Sequence, residues 1–340
     1  MSIAARLAEW RAALHHRFFD HLQEQTQIRY AAQLQRFDTW CGVMCPEWGA
    51  LSHEDRDTVL AHYVAEELDD STDLSSAKMN DLVAALQRRC LYQRYRQAWG
   101  VLELYRRDNP PEQALPFTVE STWAFATVAF ALGWLEEGLV ALLAFHGLLR
   151  ISEALELAFE DLVLPIDDVS GVAVVMLRRS KRGFDERVPI HSHAFVQVWR
   201  FYMNWQCKRG VMSGRLFTLQ YWRFRKRFLT IVAVLRLPPG RWLSHSFRRG
   251  GATHLVECRV PWDEVRNRGR WASERSCREY IRRGANAVTR LRQQQQPGAS
   301  ERIRQLSMVT FAMLRFACSQ HADDPIGTWS RGMHSACESV

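Results

Sequence analysis

Two adjacent prolines, Pro110 and Pro111, interrupt a chain that otherwise places apolar residues at helical spacing on either side of them. Neither can continue a helix, because proline lacks the amide N–H and its ring crowds the preceding turn. They sit in the polar stretch 107–116, which reads as a linker. The chain is therefore expected to fold as separate domains: 1–106, then 117–292, then a linker and tail over 293–340.

Residues 1–106 show helical periodicity and no strand signal. Ile3, Leu7, Trp10, Leu14 and Phe18 predict a helix over 2–24. A second is expected from Thr26, a suitable N-cap, to Cys41-Gly42, with Ile28, Tyr30, Leu34, Phe37 and Trp40 on one face. Ser52-His-Glu-Asp opens a third, running to Leu68 ahead of a polar loop at 69–76, and 77–105 holds one or two more. Beyond the linker, 119–131 and 135–145 read as buried helices and 150–157 as another. The pattern then changes. Val-rich 169–177 and the short 187–190 predict a hairpin around the basic turn 178–186. Helices are expected again over 194–208, 220–235, 246–257, 262–269 and 274–283. A polar linker at 293–298 precedes a last amphipathic helix over 301–318, with Ile303, Leu306, Val309, Met313 and Leu314 inward. The fold class expected is mainly α with one small β-hairpin.

Composition narrows the function classes. No apolar run is long and charge-free enough to span a bilayer; 121–149 comes nearest, and Glu136 and Glu137 interrupt it. The start of the chain has no signal-peptide apolar stretch, so an intracellular protein is expected. Eight cysteines are scattered, and only Cys41 and Cys45 lie close together without a second metal-ligand pair; buried free thiols and no metal are the expectation. Neither a GxxxxGK[ST] phosphate loop nor HExxH occurs, which leaves nucleotide hydrolysis and zinc proteolysis without a foothold. The formal charge of +8 is unevenly placed: 150–296 holds 28 Lys and Arg against 13 Asp and Glu, whereas 1–149 holds 13 against 20. A local surplus of this size fits a polyanion-binding surface and favours nucleic acid as partner.

Within that basic segment His245 and Arg248 lie three apart, on one face if helical, and a guanidinium fork beside an imidazole suits a phosphate. Arg150 stands between apolar residues, with Glu153 placed to brace it at i,i+3. Lys181 lies in the hairpin turn, Trp271 follows later in the same basic segment, and Tyr280 supplies a phenol. Each residue alone has an ordinary structural explanation: a surface salt bridge, a solvated lysine, a core tryptophan, a helix tyrosine.

Their order, Arg150, Lys181, His245-Ser-Phe-Arg248, Trp271, Tyr280, resembles that of the tyrosine recombinase (phage integrase-type) family. Gly147-Leu-Leu-Arg-Ile-Ser-Glu-Ala-Leu resembles the family's first arginine box, and His245-Ser-Phe-Arg-Arg-Gly-Gly-Ala-Thr-His-Leu its second. Gly269-Arg-Trp-Ala-Ser followed by Tyr280 has the spacing from the third box to the nucleophile. The likeness covers about 145–285, and Thr26-x-x-x-Tyr30-x-x-x-Leu34-x-x-Phe37-x-x-Trp40 is similar, more weakly, to the family's helical core-binding domain.

The resemblance implies a catalytic domain at 117–292, preceded by an all-helical core-binding (SAM-like) domain. It implies strand transesterification through a 3′-phosphotyrosyl intermediate, with no metal or cofactor. Tyr280 would attack, Arg150 and Arg248 would stabilise charge on the phosphate, Lys181 would protonate the departing 5′ oxygen, and His245 would assist proton transfer or hold the phosphate. Trp271 stands where many relatives have His, and an indole N–H can donate a hydrogen bond but cannot shuttle a proton. Arg249, Arg182, Lys78, Arg88 and Arg89 are candidates for DNA-backbone contacts. Duplex DNA is the implied partner, and a homo-oligomer, a tetramer on paired sites, the implied working form, with the 301–318 helix docking either on a neighbour or on its own domain. Two other outcomes use the same fold: relaxation of supercoils as in type IB topoisomerases, and DNA binding without catalysis.

Overall fold

Helix dominates residues 6, 22, 24–70, 76–89, 94–110, 114–165, 171–180, 183–211, 213–281 and 284–320, which are those the structure, a computed structural model, describes. The chain divides into two units, Met1–Glu112 and Gln113–Val340. No described helix is long and apolar enough to cross a membrane.

The first unit packs α1 (Glu24–Met44) on α3 (Ser76–Arg89), and α2 (His53–Asp70) on α4 (Arg96–Asp108). Phe37, Leu60, Val64, Leu82 and Leu102 are sealed in its core. Ser52 opens α2 as expected, its hydroxyl accepting the Asp55 amide at 3.1 Å. Helix α4 has a cap from elsewhere: the buried Asp57 carboxylate of α2 accepts the amides of Gln97 and Ala98 at 2.8 and 3.1 Å. Two expectations for α1 need correction. It begins before Thr26 and runs past Gly42, and Ile28 is exposed while Tyr30, Leu34 and Phe37 are buried. The helix expected over 2–24 lies almost wholly outside the described residues, as does most of the loop after Asp70.

The second unit is built around α5 (Val119–Ala131) and α6 (Leu135–His146), which are mostly apolar and mostly buried, Glu120 and Ala131 being exposed and Glu136 and Glu137 lying at the start of α6. Thr118 and Ser121 close the start of α5 reciprocally, each side chain accepting the other's amide. A short α7 (Ile151–Leu155) leads to a three-stranded antiparallel sheet, β1 (Leu162–Val163), β2 (Val172–Ser180) and β3 (Gly183–His191), in that order. The hairpin exists, but its strands extend into the segment expected as a turn, over 178–180 and 183–186, and the register brings Ser180 opposite Gly183. Arg178 explains part of this: Asp161 and Glu160 take up its charge along the strand, at 2.7 and 3.0 Å. The two-residue β1 carried no readable pattern.

Then follow α8 (His193–Lys208), α9 (Tyr221–Leu235), α10 (His245–Glu257), α11 (Trp262–Arg268) and α12 (Glu274–Tyr280). Gly250 and Gly251 let α10 press onto the chain around it. A Cβ at either would stand 2.0 Å from a backbone carbonyl oxygen, that of Phe117 and of Phe145 respectively. Helix α13 (Ala285–Gln294) was not expected, and its presence shortens the linker expected at 293–298. The last amphipathic stretch is two helices, α14 (Ala299–Met308) and α15 (Thr310–Gln320), broken at Val309, which is exposed rather than inward. Both pack on α5, and Ile303 and Leu314 belong to the core of their own unit.

The described cysteines are all free; Cys41, Cys45, Cys277 and Cys318 are buried, but Cys207 and Cys258 are exposed, against expectation. Among the described residues no cluster of His, Cys, Asp and Glu could hold a metal ion.

Candidate active site

The site forms where the turn before α7, the start of α10 and the α11–α12 connection meet over a small core of Leu148, Ala252, Val265, Trp271 and Cys277. Leu148 adopts a left-handed backbone, φ 49°, which turns its carbonyl toward Arg248 and Arg270. Arg150 caps α7, and its amide donates to Glu153 Oε2 at 2.7 Å while its guanidinium pairs with Oε1. The i,i+3 brace expected from the sequence is thus present. Arg150 keeps 28% of its side chain exposed, so it is more accessible than Arg248.

Arg248 is placed differently from the expectation of a second open fork. It is 1% exposed; Nη1 donates to the Leu148 carbonyl at 2.7 Å and Nη2 to the Gly269 carbonyl. Its guanidinium lies 4.9 Å from the Trp271 ring and 5.5 Å from the Tyr280 ring. Arg249 stands 5.4 Å from the same Tyr280 ring, and the Trp271 and Tyr280 centroids are 5.1 Å apart. Tyr280, the last residue of α12, is half-buried. Gly269 admits this packing, since a Cβ there would fall 1.8 Å from the Trp271 ring. The indole N–H of Trp271 is buried and has no hydrogen-bond partner among the described residues.

One carboxylate organises the cations. Glu153 Oε2 also accepts from Arg270 at 2.6 Å and lies 3.6 Å from Arg248. Burial pushes the Glu153 carboxyl up, but Arg270, the Arg150 amide and the charges of Arg150 and Arg248 outweigh it and hold the group below the ordinary carboxylate value. Burial first, then Arg270 and Arg150, lower the Arg248 guanidinium, with Glu153 opposing. His245 opens α10 at the exposed rim of the site. Desolvation and then Arg248, Arg150 and Arg249 draw its imidazole below 6.5. Both effects act in the same direction and favour the neutral imidazole.

Of the sequence candidates, Arg150, Glu153, His245, Arg248, Arg249, Trp271 and Tyr280 come together here. Lys181 and Arg182 lie outside the described residues. Lys78, Arg88 and Arg89 belong to α3 of the first unit, at opposite ends of the helix, about 15 Å apart at 1.5 Å per residue, and so form no single cluster. Arg270 and Glu186, 3.2 Å apart, were missed. Their partners are distant in sequence, and the local sign was the arginine between Gly269 and Trp271.

Residues 133–286 match the profile of the phage integrase family. No curated protein matches the chain by sequence. Among solved structures, the XerH site-specific recombinase bound to its difH substrate is 19% identical, with 77% of this chain and 78% of that one covered at a TM-score of 0.51. The Tn1549 transposon integrase in complex with transposon right-end DNA is 15% identical, with 84% and 98% covered at 0.56. At these identities the structures establish likeness of fold. Over residues 133–286, the segment that builds the site, the chain thus matches the phage integrase family profile, and its fold is similar to that of these recombinases.

Proposed function

We propose that the chain cleaves and rejoins duplex DNA by transesterification through Tyr280. The observation that carries this reading is the meeting of a half-buried phenol with two guanidinium groups, Arg248 and Arg249, in the cluster that also holds the partly exposed Arg150. Tyr280 Oη attacks the scissile phosphorus. The Oη–P bond forms as P–O5′ breaks, the phenol gives up its proton, and the departing O5′ takes one to leave as a hydroxyl. Charge that gathers on the non-bridging oxygens is met by fixed cations that need not reorganise. Arg150 supplies the accessible fork. Arg248 acts from below, where low exposure strengthens its field. Neutral His245 is suited to accept the phenolic proton, and Lys181, in the hairpin turn, is the proposed donor to O5′. The 3′-phosphotyrosyl bond conserves the phosphodiester, so a 5′-hydroxyl from another strand reseals it with Tyr280 as leaving group.

Exchange between two duplexes needs two bound at once, so a homo-oligomer, a tetramer on paired sites, is the proposed working form. Lys78, Arg88, Arg89, Arg182 and Arg249 are proposed backbone contacts.

A duplex nicked so that the cleaved strand is lost by diffusion traps the covalent intermediate. Incubation with such duplexes is expected to give a protein–DNA adduct with the wild-type chain and none with Tyr280→Phe. Folded, DNA-bound wild-type protein that forms no adduct on any end or junction would sink the reading.

A further inference from the structure

Tyr280 closes a short helix that does little to fix it. Helix α12 has seven residues, Cys277 is its buried one, and Ile281 after it is already extended. A helix this short has little stability of its own, and helix ends fray. The phenol ring is therefore placed by what touches it. Trp271 lies 5.1 Å from it, centroid to centroid, and Arg248 and Arg249 stand over the ring at 5.5 and 5.4 Å. Trp271 and Arg248 are both buried, and Arg248 is tied to the Leu148 and Gly269 carbonyls.

No step of the proposed transfer uses Arg249. It is half-buried, and its carbonyl accepts the Thr253 hydroxyl at 2.8 Å, a bond that a change of its side chain leaves in place. It follows His245 by four residues, so the two lie on one face of α10. A cation over a phenol ring is attracted by the ring's quadrupole, more strongly where water is scarce, and a planar guanidinium suits such a face. The Tyr280 ring packs against the small core of Leu148, Ala252, Val265, Trp271 and Cys277, which keeps part of that contact dry.

We propose that Arg249 is a positioning residue for the nucleophile: placed over the Tyr280 ring, on the face of α10 that carries His245, its guanidinium seats the phenol at the site before DNA is cleaved. This rests on the recombinase reading above, with Tyr280 as the nucleophile. A contact to the DNA backbone and a clamp on the ring respond differently to one substitution. Loss of a backbone contact weakens binding and leaves the rate at saturating protein alone, whereas loss of a clamp lowers that rate.

The test takes two measurements on the full chain. Adduct formation on the nicked duplex is timed at saturating protein for wild type, Arg249→Gln and Arg249→Lys. In parallel, without DNA, a fluorinated tyrosine in place of Tyr280 reports ring exposure by fluorine NMR, from the broadening that a soluble paramagnetic agent causes. Arg249→Gln is expected to form adduct about five- to thirtyfold slower, the seated population lost with a partly desolvated cation–π contact, and its ring signal should broaden more than that of wild type. Arg249→Lys keeps a cation but no planar fork; it should fall between the two on both measurements, and it serves if Arg249→Gln does not fold. Adduct formed at the wild-type rate by the saturated variants would overturn the proposal and leave Arg249 as a backbone contact. So would a slowed Arg249→Gln whose ring is no more exposed, since the arginine would then act on the phosphate. A wild-type chain that forms no adduct fails as a recombinase; ring exposure, which is read without cleavage, tells that failure from a missing clamp.

Discussion

Three guanidinium groups converge on the Glu153 carboxylate, and Arg270 has Glu186 as well, so the site balances cations against buried acids at the level of single atoms. The consequence for pH follows from Glu153. Its folded-state value lies below the ordinary 4.5, so the native state binds the proton less readily than the unfolded chain. Its stabilising contribution is therefore complete above pH 4.5 and is lost as pH falls through the folded value. Glu153→Gln should lower Tm most at neutral pH, and the gap to wild type should narrow below pH 4.5. A thermal-melt series from pH 7 to 3.5 checks this; a gap that widens in acid would contradict the assignment. At this scale the sequence was legible where partners are local. Arg150 and Glu153 are three apart and could be paired on sight. Arg270 and Glu153 are joined only by the fold, as are Arg248 and the Leu148 carbonyl, a backbone group that no residue type announces.

Among the elements, apolar periodicity revealed the helices whose buried face is apolar. Helix α13 inverts the pattern: Asn286, Thr289 and Gln293 are buried while Val288 and Leu291 are exposed, so no helix was expected there. The break between α14 and α15 was hidden for another reason. No Pro or Gly marks it; instead Thr310 Oγ1 donates to the Ser307 carbonyl at 3.0 Å and lies 2.7 Å from Thr127 Oγ1 on α5, which is known only once the helices are docked. That docking gives the tail helices a structural role within their own unit. Leu314 is fully buried in its core, and Leu314→Ala should cost about 2–5 kcal/mol of stability, mostly through the cavity left behind. Denaturant unfolding of the second unit's transition measures it. A loss under about 0.5 kcal/mol, the range of surface substitutions, would mean that α15 does not rest on α5 in solution.

On the scale of the whole chain, charge is the feature the sequence displayed most openly, with a surplus of 15 cations over 150–296 and a deficit over 1–149. Folding divides that surplus into two populations. Arg248 and Arg270 are buried against acids and carbonyls, and Arg150 is held at the site, whereas Arg225 and Lys226 on α9 are exposed. Only the exposed group can release counterions from a DNA backbone in number. Affinity for duplex DNA should therefore fall steeply with salt, by about 0.9 in the log–log slope for each phosphate engaged. Changing Arg225 and Lys226 together to Gln should weaken binding and flatten that slope by about one to two, whatever the DNA sequence. Arg150→Ala should do the reverse: cleavage is lost, while the slope changes by about one contact at most. Fluorescence-anisotropy titrations across a salt series, run beside the covalent-adduct assay, separate the two. If Arg150→Ala abolished binding as well as cleavage, Arg150 would be a docking group, and the charge that meets the transition state would have to come from Arg248 alone.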